Sequence, residues 1–430
     1  MPANGGTART FMVKAGTAEY LMTLTTQQLQ TVAPRLDYAL HAITRHTASQ
    51  GATPLSLVQT MKAANPSLKM LGYAGTFDSG SVVGEGLVDD ASACARLRSS
   101  PASGSHPLMD YGSQFRALFD PGEQGTTSYH KFVARCVLDA LTAYLLPNGS
   151  LGLDGVFLDN AWLTMKNTPL FTLDGQGNPV AKWSSAEGGN DQLYRPWNPR
   201  TNDYYSAADW ATDVRESVRY VAQTVHGAYP SALVFYNGVQ WFVDGSPAGG
   251  VAGGNPGAPD QASLLDFCDG ADMESFVHAL WDLPQNYFDS WAWSVAKLSA
   301  MSRLGKTILV TSGVDSTDLA TQQQINDYTF ASYLLGMEAS ANTAYMFWPW
   351  DLYDPAQTPW PGFAADLGSP SSTPYTVAPS GLAQRTFAKG QVLVNPTGAP
   401  IVVGQGQLNV AGTWDSYPTL AARTGLVLRN

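Results

Sequence analysis

Charge is scarce in this chain: of 430 residues only 14% are Asp, Glu, Lys or Arg. The basic residues are the scarcer kind, 24 against 35 acidic, which leaves a formal net charge of -11. A surface of that sign repels nucleic-acid backbones and anionic membranes, so neither is expected as a partner, while neutral ligands remain favoured. Histidine is sparse as well, and none of the six falls in an H-E-x-x-H pattern. Cys94, Cys136 and Cys268 are an odd count, widely spaced, with no C-x-x-C among them. No zinc signature follows from such spacing, and no metal or other cofactor is expected. No run of about 18 apolar residues occurs, so no membrane-spanning helix is expected. The first residues, Met1 to Gly6, lack the basic and apolar regions of a signal peptide. The expected setting is therefore the cytoplasm, secretion with the signal trimmed away, or a phage-encoded protein. Also missing are a G-x-S-x-G nucleophile elbow and a complete G-x-G-x-x-G loop. Gly305-Lys306-Thr307 imitates a P-loop ending, but position 300 is Ala and the tripeptide precedes a strand where a P-loop precedes a helix.

What the chain has in quantity is apolar and aromatic material: 44% hydrophobic residues, 12 Trp and 19 Tyr. That is enough for one large core and a smaller unit. Short apolar runs alternate with stretches of helical spacing. Strands are predicted at 10–13, 36–40, 69–73, 156–158, 232–236, 270–274, 307–311 and 344–348. Helices are predicted at 25–33, 55–64, 132–146, 208–228, 290–304 and 322–337, the first opened by a Thr-Thr cap. Eight strands in such alternation predict a (β/α)8 barrel. Two Gly-, Ser- and Pro-rich excursions, 74–128 and 161–206, read as long loops over its mouth, the second carrying a hairpin turn at 173–179; 245–259 reads as a further loop. Pro and Ser cluster from 355 to 380, and beyond them short runs such as Gln391-Val392-Leu393-Val394 alternate in the strand manner. The expected division is a barrel over 1–371 and a small antiparallel β domain over 372–430.

The most informative stretch is Gly152-Leu-Asp-Gly-Val-Phe-Leu-Asp159-Asn160. A buried strand there delivers Asp159 to the C-terminal rim, the face on which barrel enzymes carry their chemistry. A capping or loop-holding Asp is the plainer alternative. Glu274 ends the sixth strand as Asp159 ends the fourth, and alternate barrel strands place side chains in one layer, so the two acids can face each other. Paired carboxylates of this kind are what glycoside hydrolysis needs: one to attack or polarise water, the other, protonated, to release the leaving oxygen. Glu274 as a salt-bridge partner is the alternative. Asp272 is assigned to the opposite face of its strand and to a structural role.

The Asp-Gly-Val-Phe-Leu-Asp-Asn motif, the strand-six acid, the mouth loop before strand four and the C-terminal β unit together resemble the "hypothetical glycosyl hydrolase" group. The layout is similar to the endo-α-1,4-polygalactosaminidase family, whose catalytic Asp and Glu also end strands four and six. The resemblance implies Asp159 as nucleophile and Glu274 as acid/base; the expected activity is metal-independent hydrolysis of a polysaccharide or oligosaccharide. Tyr73, Asn237, Trp348 and Asp351 are expected to line the sugar subsites, with Trp162 and Trp241 as further candidates. The main competing expectation is a non-catalytic glycan-binding barrel, lectin-like or a phage-adsorption module. A lysine-dependent aldolase would instead use Lys14 at the end of strand one.

Overall fold

The computed structural model describes residues 9–12, 24–42, 54–75, 129–159, 161, 163, 170–173, 179–182, 197–198, 203–204, 206–239, 261–278, 291–338, 343–348, 360–370, 374–403, 407–409, 414–415 and 419–429. Eight strands, β1 (Arg9–Met12), β2 (Tyr38–Ala42), β3 (Lys69–Gly75), β4 (Gly155–Asp159), β5 (Leu233–Asn237), β6 (Gly270–Met273), β7 (Thr307–Gly313) and β8 (Thr343–Trp348), pair in parallel. Each lies beside the next, and β8 returns to β1, closing a barrel. Six helices are described: α1 (Thr26–Val32), α2 (Pro54–Ala64), α3 (Tyr129–Ala143), α4 (Ala207–Ala228), α5 (Trp291–Ser302) and α6 (Leu319–Gly336). Their starts follow local chemistry. Thr25 and Gln28 form a reciprocal capping box at α1, while Ser206 and Asp318 accept the free N–H groups of Asp209 and Thr321 at α4 and α6.

Strand alternation sorts the side chains. Val156 and Leu158 join the layer between barrel and helices, whereas Phe157 points into the barrel with Leu71, Tyr73, Phe235 and Leu309. Gly155, at the foot of β4, allows close approach of a neighbour, since a Cβ there would lie 1.9 Å from the Leu233 carbonyl oxygen. Below it, Asp154 accepts from the Met70 amide at 2.8 Å and pairs with Lys69 and Lys62, tying the foot of β4 to β3 and α2. Leu170–Leu173 and Pro179–Lys182, on either side of the predicted turn, pair antiparallel, while 174–178 lie outside the described residues.

C-terminal to the barrel stands a six-stranded antiparallel sheet. Its order is Thr376–Val377, Ala383–Phe387, Gly390–Asn395, Thr424–Arg429, Gln407–Asn409, Trp414–Asp415. It rests on α6. A Cβ at Gly425 would lie 2.4 Å from both the Ala331 methyl and the Asp327 carbonyl oxygen, so only glycine permits that approach. Arg385, 1% exposed, donates from Nη1 to the carbonyls of Leu334, Leu335 and Met337, and faces Glu338 at 3.6 Å. These carbonyls belong to the last turn of α6, where helices leave acceptors unfilled.

Candidate active site

β4, β5 and β6 carry the site, because the pleat that sends Phe157 and Phe235 inward sends Asp159 and Asn237 inward two residues later. Leu158 and Tyr236 are register partners, so Asp159 and Asn237 follow side by side at the rim. One amide then joins the two predicted acids. Asn237 Nδ2 donates to Asp159 Oδ1 at 2.7 Å and to Glu274 Oε2 at 2.9 Å. Both bonds leave one nitrogen, so those oxygens are no farther apart than the two lengths laid end to end. Tyr73, on β3, donates its hydroxyl to the other oxygen of Asp159. Its ring stacks on Phe157, with centroids 5.8 Å apart. Asp159 is therefore held from both neighbouring strands.

Burial, and after it the negative charge of Asp159, push the Glu274 carboxyl up to about 7, while the Asn237 hydrogen bond pulls it back. Glu274 is thus still partly protonated near neutrality. The backbone just beyond it is unusual. Ser275 and Val277 have φ of 60° and 64°, and the His278 amide donates to the Phe276 carbonyl at 2.7 Å across Val277, closing a γ-turn of the positive-φ kind. A β-branched residue rarely adopts that region. The bend is stapled to β7 by the Phe276 amide on the Thr311 carbonyl, His278 Nδ1 on the Gly313 carbonyl, and Ser312 Oγ on the His278 carbonyl.

Asp272 corrects the sequence reading. Residues two apart on a strand share a face, so Asp272 and Glu274 point the same way, into the barrel. Asp272 accepts at Oδ1 from Thr311 Oγ1 at 3.0 Å, is 2% exposed, and is held well above the ordinary carboxylate range by burial and then by Glu274, with Asp159 adding to the effect. Period-two alternation, applied to 272 as it was to 159, would have found it.

Of the other expected site residues, Tyr73 and Asn237 stand beside the acids rather than at a distance from them. Trp348 ends β8, but its side chain, like Trp162, Trp241, Asp351 and Lys14 altogether, lies outside the described residues.

No family model matches this sequence, and no curated protein matches it. Among solved structures, the chain is similar to the glycoside hydrolase domain of PelA from Pseudomonas aeruginosa, at 12% identity over 78% of this chain and 97% of that one, with a TM-score of 0.37. It is similar to alpha-L-fucosidase isoenzyme 2 from Paenibacillus thiaminolyticus at 11% identity over 83% and 47%, TM-score 0.40. It is similar also to the endo-1,4-beta-mannanase from Rhizomucor miehei at 10% identity over 76% and 83%, TM-score 0.42. These neighbours are glycoside hydrolases, but at such scores the likeness assigns no residue a role here. The barrel is defined by its own strand pairing.

Proposed function

We propose that this chain is a glycoside hydrolase that cleaves a polysaccharide or oligosaccharide with retention of anomeric configuration. The observation that carries this reading is the single Asn237 amide bonded to both Asp159 and Glu274 on one barrel rim. Retaining enzymes hold their carboxyl groups about 5 to 5.5 Å apart and inverting ones about 6.5 to 9.5 Å. Bonds of 2.7 and 2.9 Å from one nitrogen favour the shorter class. In the first step Asp159 attacks the anomeric carbon as the bond to the leaving oxygen breaks, and Glu274 gives that oxygen its proton. In the second, water attacks the glycosyl ester, Glu274 takes the water's proton, and Asp159 leaves as carboxylate. Tyr73 and Asn237 orient Asp159 for attack. The resemblance to the polygalactosaminidase layout supports the same assignment of the two acids, and the net negative charge agrees with a glycan partner rather than a nucleic acid or an anionic membrane. A glycan-binding module would not need two acids sharing one donor, one of them held protonated.

Turnover by Asp159→Asn should vanish on every glycan that the native protein cleaves. Glu274→Gln should still cleave substrates with good leaving groups and respond to added azide. NMR of the first-formed product decides stereochemistry: an inverted anomer, or near-native activity in Asp159→Asn, overturns the mechanism.

A further inference from the structure

Behind the two acids lies a polar row that the mechanism above does not use. Asp272 and Asn237 are register partners on β6 and β5, and both side chains stand on the interior face. Asn237 spends its Nδ2 on Asp159 and Glu274, yet its Oδ1 is buried without a hydrogen-bond partner among the described residues. A buried amide oxygen in that condition is costly and calls for a donor. Among the described residues the Asp272 side chain takes one hydrogen bond, at Oδ1 from Thr311, and pairs with no cation. Among the described residues the titratable groups gathered here are Asp159 from β4, Glu274 just beyond β6 and Tyr73 from β3, so an ionised Asp272 would add a further negative charge beside an acceptor.

We propose that Asp272 is a positioning residue, carried as the neutral acid, whose O–H donates to Asn237 Oδ1 and so holds the Asn237 amide with Nδ2 turned toward both Asp159 and Glu274. The row then runs without a break: Thr311 donates to Asp272, Asp272 to Asn237, and Asn237 to the two acids. Burial first pushes Asp272 in the direction this requires, and Glu274 and Asp159 add to it when they are ionised. The inference rests on the hydrolase reading for its consequence, the spacing of the acids, but not for the protonation itself.

Two variants separate a neutral donor from a charge. Asp272→Asn keeps a donor for Asn237 and an acceptor for Thr311; Asp272→Leu keeps neither. Asp272→Asn should retain the kcat and the alkaline limb of native protein, while Asp272→Leu should lose on the order of a hundredfold in kcat with little change in KM, as expected for misplaced reacting groups. The second readout needs no turnover. In a Glu274→Gln background at pH 8, difference infrared spectra with isotope-labelled aspartate should contain the carbonyl band of a protonated carboxylic acid, and Asp272→Asn should remove it. Absence of that band overturns the proposal. So does an Asp272→Asn protein as impaired as Asp272→Leu, or one whose alkaline limb moves down, since either would mean that the charge at 272 matters. If native protein cleaves no glycan while the band is present, the hydrolase reading fails and the protonated Asp272 stands.

Discussion

A carboxyl that titrates near 7 ties the function of Glu274 to a measurable cost. In the proposed role of general acid Glu274 must be protonated, so kcat/KM should fall as pH rises through about 7. Asn237 stabilises the ionised form of Glu274, and Asn237→Ala should therefore shift that alkaline limb upward while lowering the rate. Stability carries the same signature. The folded-state value lies above the ordinary 4.5, so the native protein binds the proton more tightly than the unfolded chain does. The contribution is intact below about 4.3 and is lost as pH rises to about 7. Glu274→Gln escapes the loss. It should match native protein at pH 4 and exceed it at pH 7 by on the order of 2 kcal/mol, read from urea unfolding at both pH values.

At the scale of elements, the bend after β6 gives Glu274 its place. Ser275 has φ of 60°, and its buried hydroxyl has no hydrogen-bond partner among the described residues. Both features cost stability, and sites under functional constraint are where such costs persist. Ser275→Gly removes the two together and should raise unfolding stability by roughly 1 kcal/mol, offset in part by the freer unfolded chain. Activity should fall in the same protein, because the bend that aims Glu274 is relaxed. A variant with unchanged thermal midpoint and unchanged rate would show that the bend bears no load. The alternation of β4 and β5 was legible beforehand, since Val156-Phe157-Leu158 and 232–236 are apolar runs with a polar residue at the end. The bend was not. Neither Ser275 nor Val277 is a residue type that favours positive φ, and among the described residues three bonds to β7 help to hold them there.

For the whole molecule, the sheet on α6 extends the barrel's packing. Residue 372 as a boundary is our proposal from composition, and so is the sheet's dependence on the barrel: a unit of about 50 residues buries too little surface to be stable alone. Truncation after Ser380 removes Arg385 and Gly425, and should lower the melting temperature of the barrel. Arg385→Met is the finer test. Leaving the carbonyls of Leu334, Leu335 and Met337 without their donor should cost about 3 kcal/mol, measured by chemical unfolding.

Sequence alone determined the barrel, because the alternation of buried strands and amphipathic helices is written in local spacing, and it placed Asp159 and Glu274 at strand ends for the same reason. Element ends moved by a few residues, as at β7, which runs on to Gly313 where the apolar run stops at 311. Tertiary structure decided what the acids share. Asn237 reads in the sequence as a subsite residue at the end of an apolar run, and the register of β4, β5 and β6 turns it into the donor between Asp159 and Glu274. Arg385 carries no signal of its role in the sequence, and becomes the buried cap of α6 because the sheet folds onto that helix. Contacts between residues distant along the chain depend on register and docking, which no local pattern encodes.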